Sequence, residues 1–450
     1  MSTRRQFLQN AGYGLVFAGS HGLFVTKARA DSAGFAPVPI ETLPTTHGLS
    51  RADDPAARGP RPAWPLPDGW KFALPAAGRR GPISFNVLND VAAAADQATA
   101  GEAVAQMQFD MRKVLGAWGS SAVSLIKDGS GNVVDVIYWI FGGGHGDIGY
   151  DGVCAWRAAT GRFDVMLRPT KWNVSPTLDP DHGENIAGRP DSQHPYQNIH
   201  GLDSDEPNGP ALVQLRGSAV GQGAALSGWA HRFDANTRQW TRFGSNPGMP
   251  HTTPAVASAF IKDRVRKRFV RYPSDNYTLY DIIDYSQSTS AWLAQNQRAG
   301  RIGNWSDTSM PCGIHDPARD LYLAGYWMTG TGLHAVPAAD PSSPFVRLTE
   351  IGTVPTNVVG TGLQYRSATD QFILVDSATQ PPTRIYVLTP PSSNPLSNPW
   401  TWTTRNFIGP VSAFSNVSGG SWYNRWQYVA LLDALIVCPA ADAPMECWKL

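Results

Sequence analysis

The chain is poor in several things that would have narrowed its reading. Only 16% of its 450 residues are charged, and the net charge is +1. A phosphate backbone demands a basic face, so nucleic acid is excluded as a partner. Four cysteines are too few to staple a chain of this size. Its stability must therefore come from a large apolar core. No apolar run reaches the ~20 residues that span a bilayer. Long stretches with helical periodicity are also missing, apart from the Ala- and Gln-rich segment 90–115. What is abundant is Gly 44, Pro 36 and Trp 16, the composition of many short strands joined by many turns.

The N-terminus reads as an export address. Arg4-Arg5 are followed by Phe7-Leu8, an apolar run over 14–25, and the small-x-small site Ala28-Arg29-Ala30. This is the pattern of a twin-arginine secretory signal. Lys27 and Arg29 beside the cleavage site disfavour export of an unfolded chain. Residues 1–30 are thus expected to be removed, leaving no membrane anchor, and residues 31–450 to form one domain in the periplasm or outside the cell. That length exceeds one ordinary core unless the architecture is a repeat or a large β fold.

A repeat of about fifty residues is present in pattern rather than identity. Each unit has an apolar strand, a tight polar turn, an apolar strand, a variable loop, an aromatic-bearing strand, a second turn and a last strand. The first unit covers 121–126, 133–142, 152–156 and 162–167. Later units contain 211–215, 228–233 and 239–243; then 255–261, 268–272, 278–283 and 290–292. The next contains 321–327, 332–336 and 345–348, followed by 362–365, 371–375, 384–388 and 400–403. The last contains 426–431, 434–438 and 446–450 and ends one strand short. Four-stranded units in series predict an all-β fold, a single β-propeller of six blades, with seven as the alternative count. Segment 70–74 is expected to supply the missing strand and close the ring from the N-terminal side. The helical insertion 90–115 is expected to lie outside the blades. Cys438 and Cys447 flank a hairpin tip, and a bridge between them is anticipated, with Cys154 and Cys312 as buried thiols.

The first unit carries Phe141-Gly142-Gly143-Gly144-His145-Gly146-Asp147, then Trp156 and the turn Ala159-Thr160-Gly161 before Arg162-Phe163. These residues resemble the motif of kelch-type, galactose-oxidase-like propellers. The other units lack the glycine run.

Propeller topology puts the loops between second and third strands on the same face as the connections between blades. That face collects most of the polar chemistry. His145 and Asp147 come from the glycine loop. His182, Glu184, Arg189, His194, Tyr196 and His200 come from the connection 171–208, and Arg216 and His251 from the loops after it. Long loops without regular structure are commonly functional. By contrast His231, His315 and His334 read as structural.

The placement resembles propeller-fold polysaccharide lyases. The resemblance implies β-elimination on a uronic-acid-containing glycan. His194, Tyr196 and His145 would supply acid and base, because imidazole titrates near neutral pH. Arg189 and Arg216 would hold the carboxylate in a bidentate fork. His251, Trp305 and Trp327 would complete substrate binding. The partner is then a polysaccharide or oligosaccharide, and a monomer is expected. Cofactor content is left open, a divalent metal included. Two alternatives stand beside this. One is a non-catalytic kelch-like propeller that binds a glycan or a protein through Trp305, Trp327, Trp422, Tyr423 and Trp426. The other, weaker one is a copper-radical oxidase, for which the chain has no Tyr-His pair and no evident Cys–Tyr couple.

Overall fold

The computed structural model describes residues 74–86, 112, 114–115, 120–141, 152–167, 189–190, 199–214, 230–243, 258–273, 279–286, 291–298, 312–325, 332–356, 362–376, 383–409 and 425–450. They build six small sheets, antiparallel apart from one short added strand, and together these are the six blades of a β-propeller.

Strand β1 (Arg80–Asn86) stands apart in sequence from the sheet it joins. Blade one is β2 (Ser120–Lys127), β3 (Val133–Phe141), β4 (Val153–Arg157) and β5 (Arg162–Leu167). Blade two is β6 (Ile199–Leu202), β7 (Ala211–Gln214), β8 (Ala230–Asp234) and β9 (Gln239–Phe243). Blade three is β10 (Ser258–Asp263), β11 (Arg268–Pro273), β12 (Leu279–Asp284) and β13 (Ala291–Arg298). Blade four is β14 (Cys312–Asp316), β15 (Leu321–Gly325), β16 (Leu333–Pro337) and the two-residue β17 (Val346–Arg347). A short strand β18 (Glu350–Gly352) precedes blade five, which is β19 (Leu363–Arg366), β20 (Gln371–Val375), β21 (Arg384–Thr389) and β22 (Trp400–Asn406). β18 lies parallel to β22 as a fifth strand of that sheet. Blade six is β23 (Trp426–Val429), β24 (Ala434–Val437) and β25 (Pro444–Lys449), completed by β1.

Alternation along the strands explains why so many of them read as nearly unbroken apolar runs. Residues two apart face the same side of a strand. In β3, Val136, Tyr138 and Ile140 pack with blade six, while Ile137, Trp139 and Phe141 pack with blade two. β20 does the same: Phe372 and Leu374 meet blade four, and Ile373 and Val375 meet blade six. Each sheet is therefore buried on both faces. The apolar core divides into six clusters, one per junction between neighbouring blades. Val114 and Leu115, in a helical turn, extend the cluster between blades six and one. The rest of segment 90–115 lies outside the described residues.

Closure from the N-terminal side holds, with a different strand from the one expected. β1 pairs antiparallel with β25, Arg80 opposite Trp448 and Gly81 opposite Cys447. Segment 70–74 does not fill that place: Leu74 precedes the strand and packs its side chain on the core. Pro82 sits within β1, which is tolerable because an outer strand needs only one edge of its backbone for the ladder.

The anticipated bridge is also corrected. All four cysteines are buried and free. The β24–β25 register sets Cys447 opposite Ile436, so Cys438 is its diagonal neighbour. Diagonal pairs stand about 7–8 Å apart, beyond the reach of a disulfide.

Candidate functional site

The described residues divide the two ends of the blades sharply. At one end are the turns between first and second strands. All six close on a residue with positive φ: Gly131, Asn208, Lys267, Asp320, Asp370 and Asp433. Asp and Asn tolerate that left-handed conformation better than most residues. At three of these positions the aspartate has a second task. Its carboxylate takes an arginine from the preceding blade. Arg266 reaches Asp320 in bidentate fashion at 2.7 and 2.6 Å. Arg319 grips Asp370, and Arg366 grips Asp433 at 2.8 and 2.6 Å. These arginines hold the carboxyls of Asp320, Asp370 and Asp433 below the ordinary carboxylate range. Lys262 with Glu206, Arg264 with Asp203, and Lys127 with Asp205 continue the belt through blades three, two and one. Between blades six and one the described contacts are of another kind. There Gln427 donates to the Ser121 carbonyl and Tyr138 to the Arg425 carbonyl.

Asp263 is the hub of this belt. It is fully buried, accepts the Tyr322 hydroxyl at 2.6 Å and the Arg266 amide at 2.9 Å, and faces Arg268 at 3.4 Å. Burial alone would raise its pKa. Tyr322, the Arg266 amide, His315 and Arg268 outweigh that and lower it. His315 lies between two carboxylates, Nδ1 3.6 Å from Asp263 and Nε2 3.5 Å from Asp320.

Inside the belt the six inner strands surround an axial cavity of about 370 Å³ that opens among these turns. They come very close to one another. A Cβ on Gly201 would lie 2.0 Å from the Val123 carbonyl oxygen of blade one. The wall includes His200, Lys262, Arg264, His315, Gln364, Tyr365, Gln427 and Tyr428. His200 donates from Nε2 to the Phe260 carbonyl at 2.9 Å and packs its ring on Phe260 and Phe269. Burial pushes its pKa down to about 4, so it is neutral at pH 7 and Nδ1 is left as an acceptor. It was expected in an inter-blade connection; it stands instead in the first strand of blade two, a four-residue strand that the sequence pattern does not reveal.

The opposite end of the strands is where the sequence placed the chemistry. His145, His194, Tyr196, Arg216, His251, Trp305 and Trp327 all lie outside the described residues, as do Asp147, His182 and Glu184. Of the residues expected on that face, Arg189 is described, half-buried, and His200 stands in β6 as given above. Ion pairs among the described residues are fixed at that end too. Arg271 and Asp281 are buried 3.1 Å apart across β11 and β12. The buried Asp376, after β20, takes Arg384 at 2.5 Å and so has a structural partner. His231 and His334 are buried in third strands, and His315 is buried beside the belt at the cavity wall. Trp426, offered above as a sugar platform, is wholly buried and donates to the Gly362 carbonyl. No group of three or more metal-ligating side chains occurs among the described residues.

No family model matches the chain, and no curated protein matches it. Among solved structures one titled "Structure of YjhT" is similar, at 9% identity and a TM-score of 0.37, over 64% of this chain and 84% of that chain.

Proposed function

We propose that the protein is an exported, carbohydrate-active propeller that cleaves a uronic-acid-containing glycan by β-elimination, with a kelch-like first blade. The observation that carries this reading is the unequal use of the two blade ends. Around the first-to-second-strand turns, the charged side chains are paired off between blades: Arg266, Arg319 and Arg366 with Asp320, Asp370 and Asp433. Their task is to hold the ring. The segments bearing His145, His194, Tyr196, Arg189, Arg216 and His251 connect strands at their other ends, away from this belt, which supports assigning the acid–base chemistry to that side.

In this reading His194 and Tyr196 exchange protons with the substrate and His145 assists. Arg189 and Arg216 neutralise the uronate carboxylate, which makes the neighbouring carbon acidic enough to deprotonate. His251, Trp305 and Trp327 position the chain of sugars. The twin-arginine address delivers the folded protein to where such polymers are met.

A panel of uronate polysaccharides, followed by the ultraviolet absorbance of unsaturated products, tests this directly. His194→Ala should lower turnover by ~10²–10⁴ with little loss of stability. Retention of a polymer without any product would instead make the protein a binding propeller. An unchanged rate in the variant would remove His194 from the chemistry. Sequencing the N-terminus of the exported protein tests the address, with cleavage after Ala30 expected.

A further inference from the structure

We propose that the axial cavity on the first-to-second-strand turn face is a second ligand site, built for a neutral monosaccharide. It lies at the opposite end of the blades from the proposed catalytic loops and does not depend on them.

Size comes first. At about 30 Å³ per water, a cavity of about 370 Å³ would hold about a dozen waters, which is room for one sugar ring and residual solvent. Ligand pockets start at about 300 Å³.

The wall then selects the chemistry. Both cations on it are matched by a carboxylate, Lys262 by Glu206 and Arg264 by Asp203. A bound anion would have to compete with those two acids, and a bound cation with those two bases. A neutral ligand avoids both penalties. What the wall offers is a mixture of hydrogen-bonding groups and ring faces. Tyr428 spends its O–H on Asp433, and Tyr365 spends its own on Asp370, which leaves the Tyr365 oxygen to accept from ligand hydroxyls. His200 keeps Nδ1 as a further acceptor. His315 is buried to 6% exposure, and its Nε2 has no hydrogen bond, Asp320 standing 3.5 Å away. An unmade hydrogen bond in so buried a group costs free energy that a ligand hydroxyl would recover. The two tyrosine rings provide apolar faces for the C–H side of a sugar. Hydroxyl-rich, uncharged and ring-shaped is the description that fits all of these together.

The test is titration of the full chain with glucose and with galactose, read by calorimetry or ligand-observed NMR. Glucuronate and inorganic phosphate serve as charged comparisons. Ser367 and Ala430 are exposed at the cavity wall beside its mouth. Ser367→Trp and, separately, Ala430→Trp should obstruct the opening without touching the core. Each should weaken hexose binding at least about tenfold, a loss of about 1.4 kcal/mol, while leaving the unfolding midpoint and any polymer turnover unchanged. Hexose binding that survives both plugs would overturn the location. Binding of glucuronate or phosphate but of neither hexose would overturn the charge argument. Absence of hexose binding at concentrations of about 10 mM would overturn the site itself. None of these outcomes touches the catalytic reading, because that is scored by polymer turnover and by His194.

Discussion

Replacing Asp263 asks how much of the ring's stability resides in its buried charges. The carboxylate is wholly buried. It accepts the Tyr322 O–H and the Arg266 amide, takes Arg266 Nη1 at 3.2 Å, and lies near Arg268 and His315. Asp263→Ala removes every one of these acceptors together. The hydrogen on Tyr322 then has only the donors of Arg268 beside it. Two guanidinium groups lose a shared counter-charge. Breaking a buried pair from one side costs about 3–5 kcal/mol. Lys127→Ala is the matched control. It removes an ion pair to Asp205 whose acidic side chain is 54% exposed, and such pairs are worth about 0.2–1 kcal/mol. Asp263→Asn, which keeps a carbonyl for Tyr322 or the amide but loses the charge, should fall between. Denaturant unfolding followed by tryptophan fluorescence measures all three. If Asp263→Ala and Lys127→Ala cost the same, the belt is surface decoration and the division between the two blade ends loses its physical basis.

Other expectations follow from the same geometry. Burial lowers the pKa of His200 to about 4, and burial with Arg347 does the same to His334. A histidine held neutral contributes stability above its unfolded pKa of about 6.5 and loses it as pH falls towards 4. The unfolding midpoint should therefore fall between pH 6.5 and 4, before the belt aspartates titrate, and His334→Gln should flatten that slope; an unaltered slope would show that the loss lies elsewhere. Gly201→Ala forces a Cβ onto the Val123 carbonyl and should destabilise by about 1–3 kcal/mol or more, whereas Gly129→Ala meets nothing within 4 Å and should be neutral or slightly stabilising. Deleting residues up to Asn86 bares the edge of β25, so loss of solubility or a broad melt is expected, while a chain starting at Leu74 should melt as the full chain does.

Most of the blade architecture was legible because burial on both faces leaves a trace in composition. Val133–Phe141 could only be a strand between two cores, and an evident turn separates its partner 153–157 from the next strand, 162–167. β6 was not legible. Ile199-His200-Gly201-Leu202 is short, carries a polar residue, and depends on a glycine whose purpose appears only when the Val123 carbonyl is seen beside it. The closing strand was misplaced for a related reason. The aromatic segment 70–74 was expected in that place, whereas the Gly and Pro of Arg80–Asn86 look like loop residues until the strand is known to be an outer one. Sequence periodicity reports how a strand is buried, and an edge strand has little burial to report.

The belt of ion pairs was missed although its signal is in the sequence. Asp320, Asp370 and Asp433 each close a first-to-second-strand turn. A left-handed turn position selects Asp or Asn on backbone grounds alone. The same constraint fixes the direction of the side chain, so every blade that ends its turn on Asp presents a carboxylate at one place on its neighbour's flank. An arginine near the corresponding turn of the previous blade then meets it without further design. The spacing of those pairs is 54, 51 and 67 residues, one repeat each time. Arginine in one turn and aspartate at the close of the next is thus a pattern with a cause. It identifies the end of the propeller that is committed to holding the ring. By the alternation of strand direction it also identifies the other end, which the connections between blades join. Blades six and one are joined without such a pair among the described residues, through Gln427 and Tyr138. That is also the junction whose sixth blade is finished by the N-terminal β1. Among the described residues the alignment of these two blades rests on apolar packing and on these hydrogen bonds.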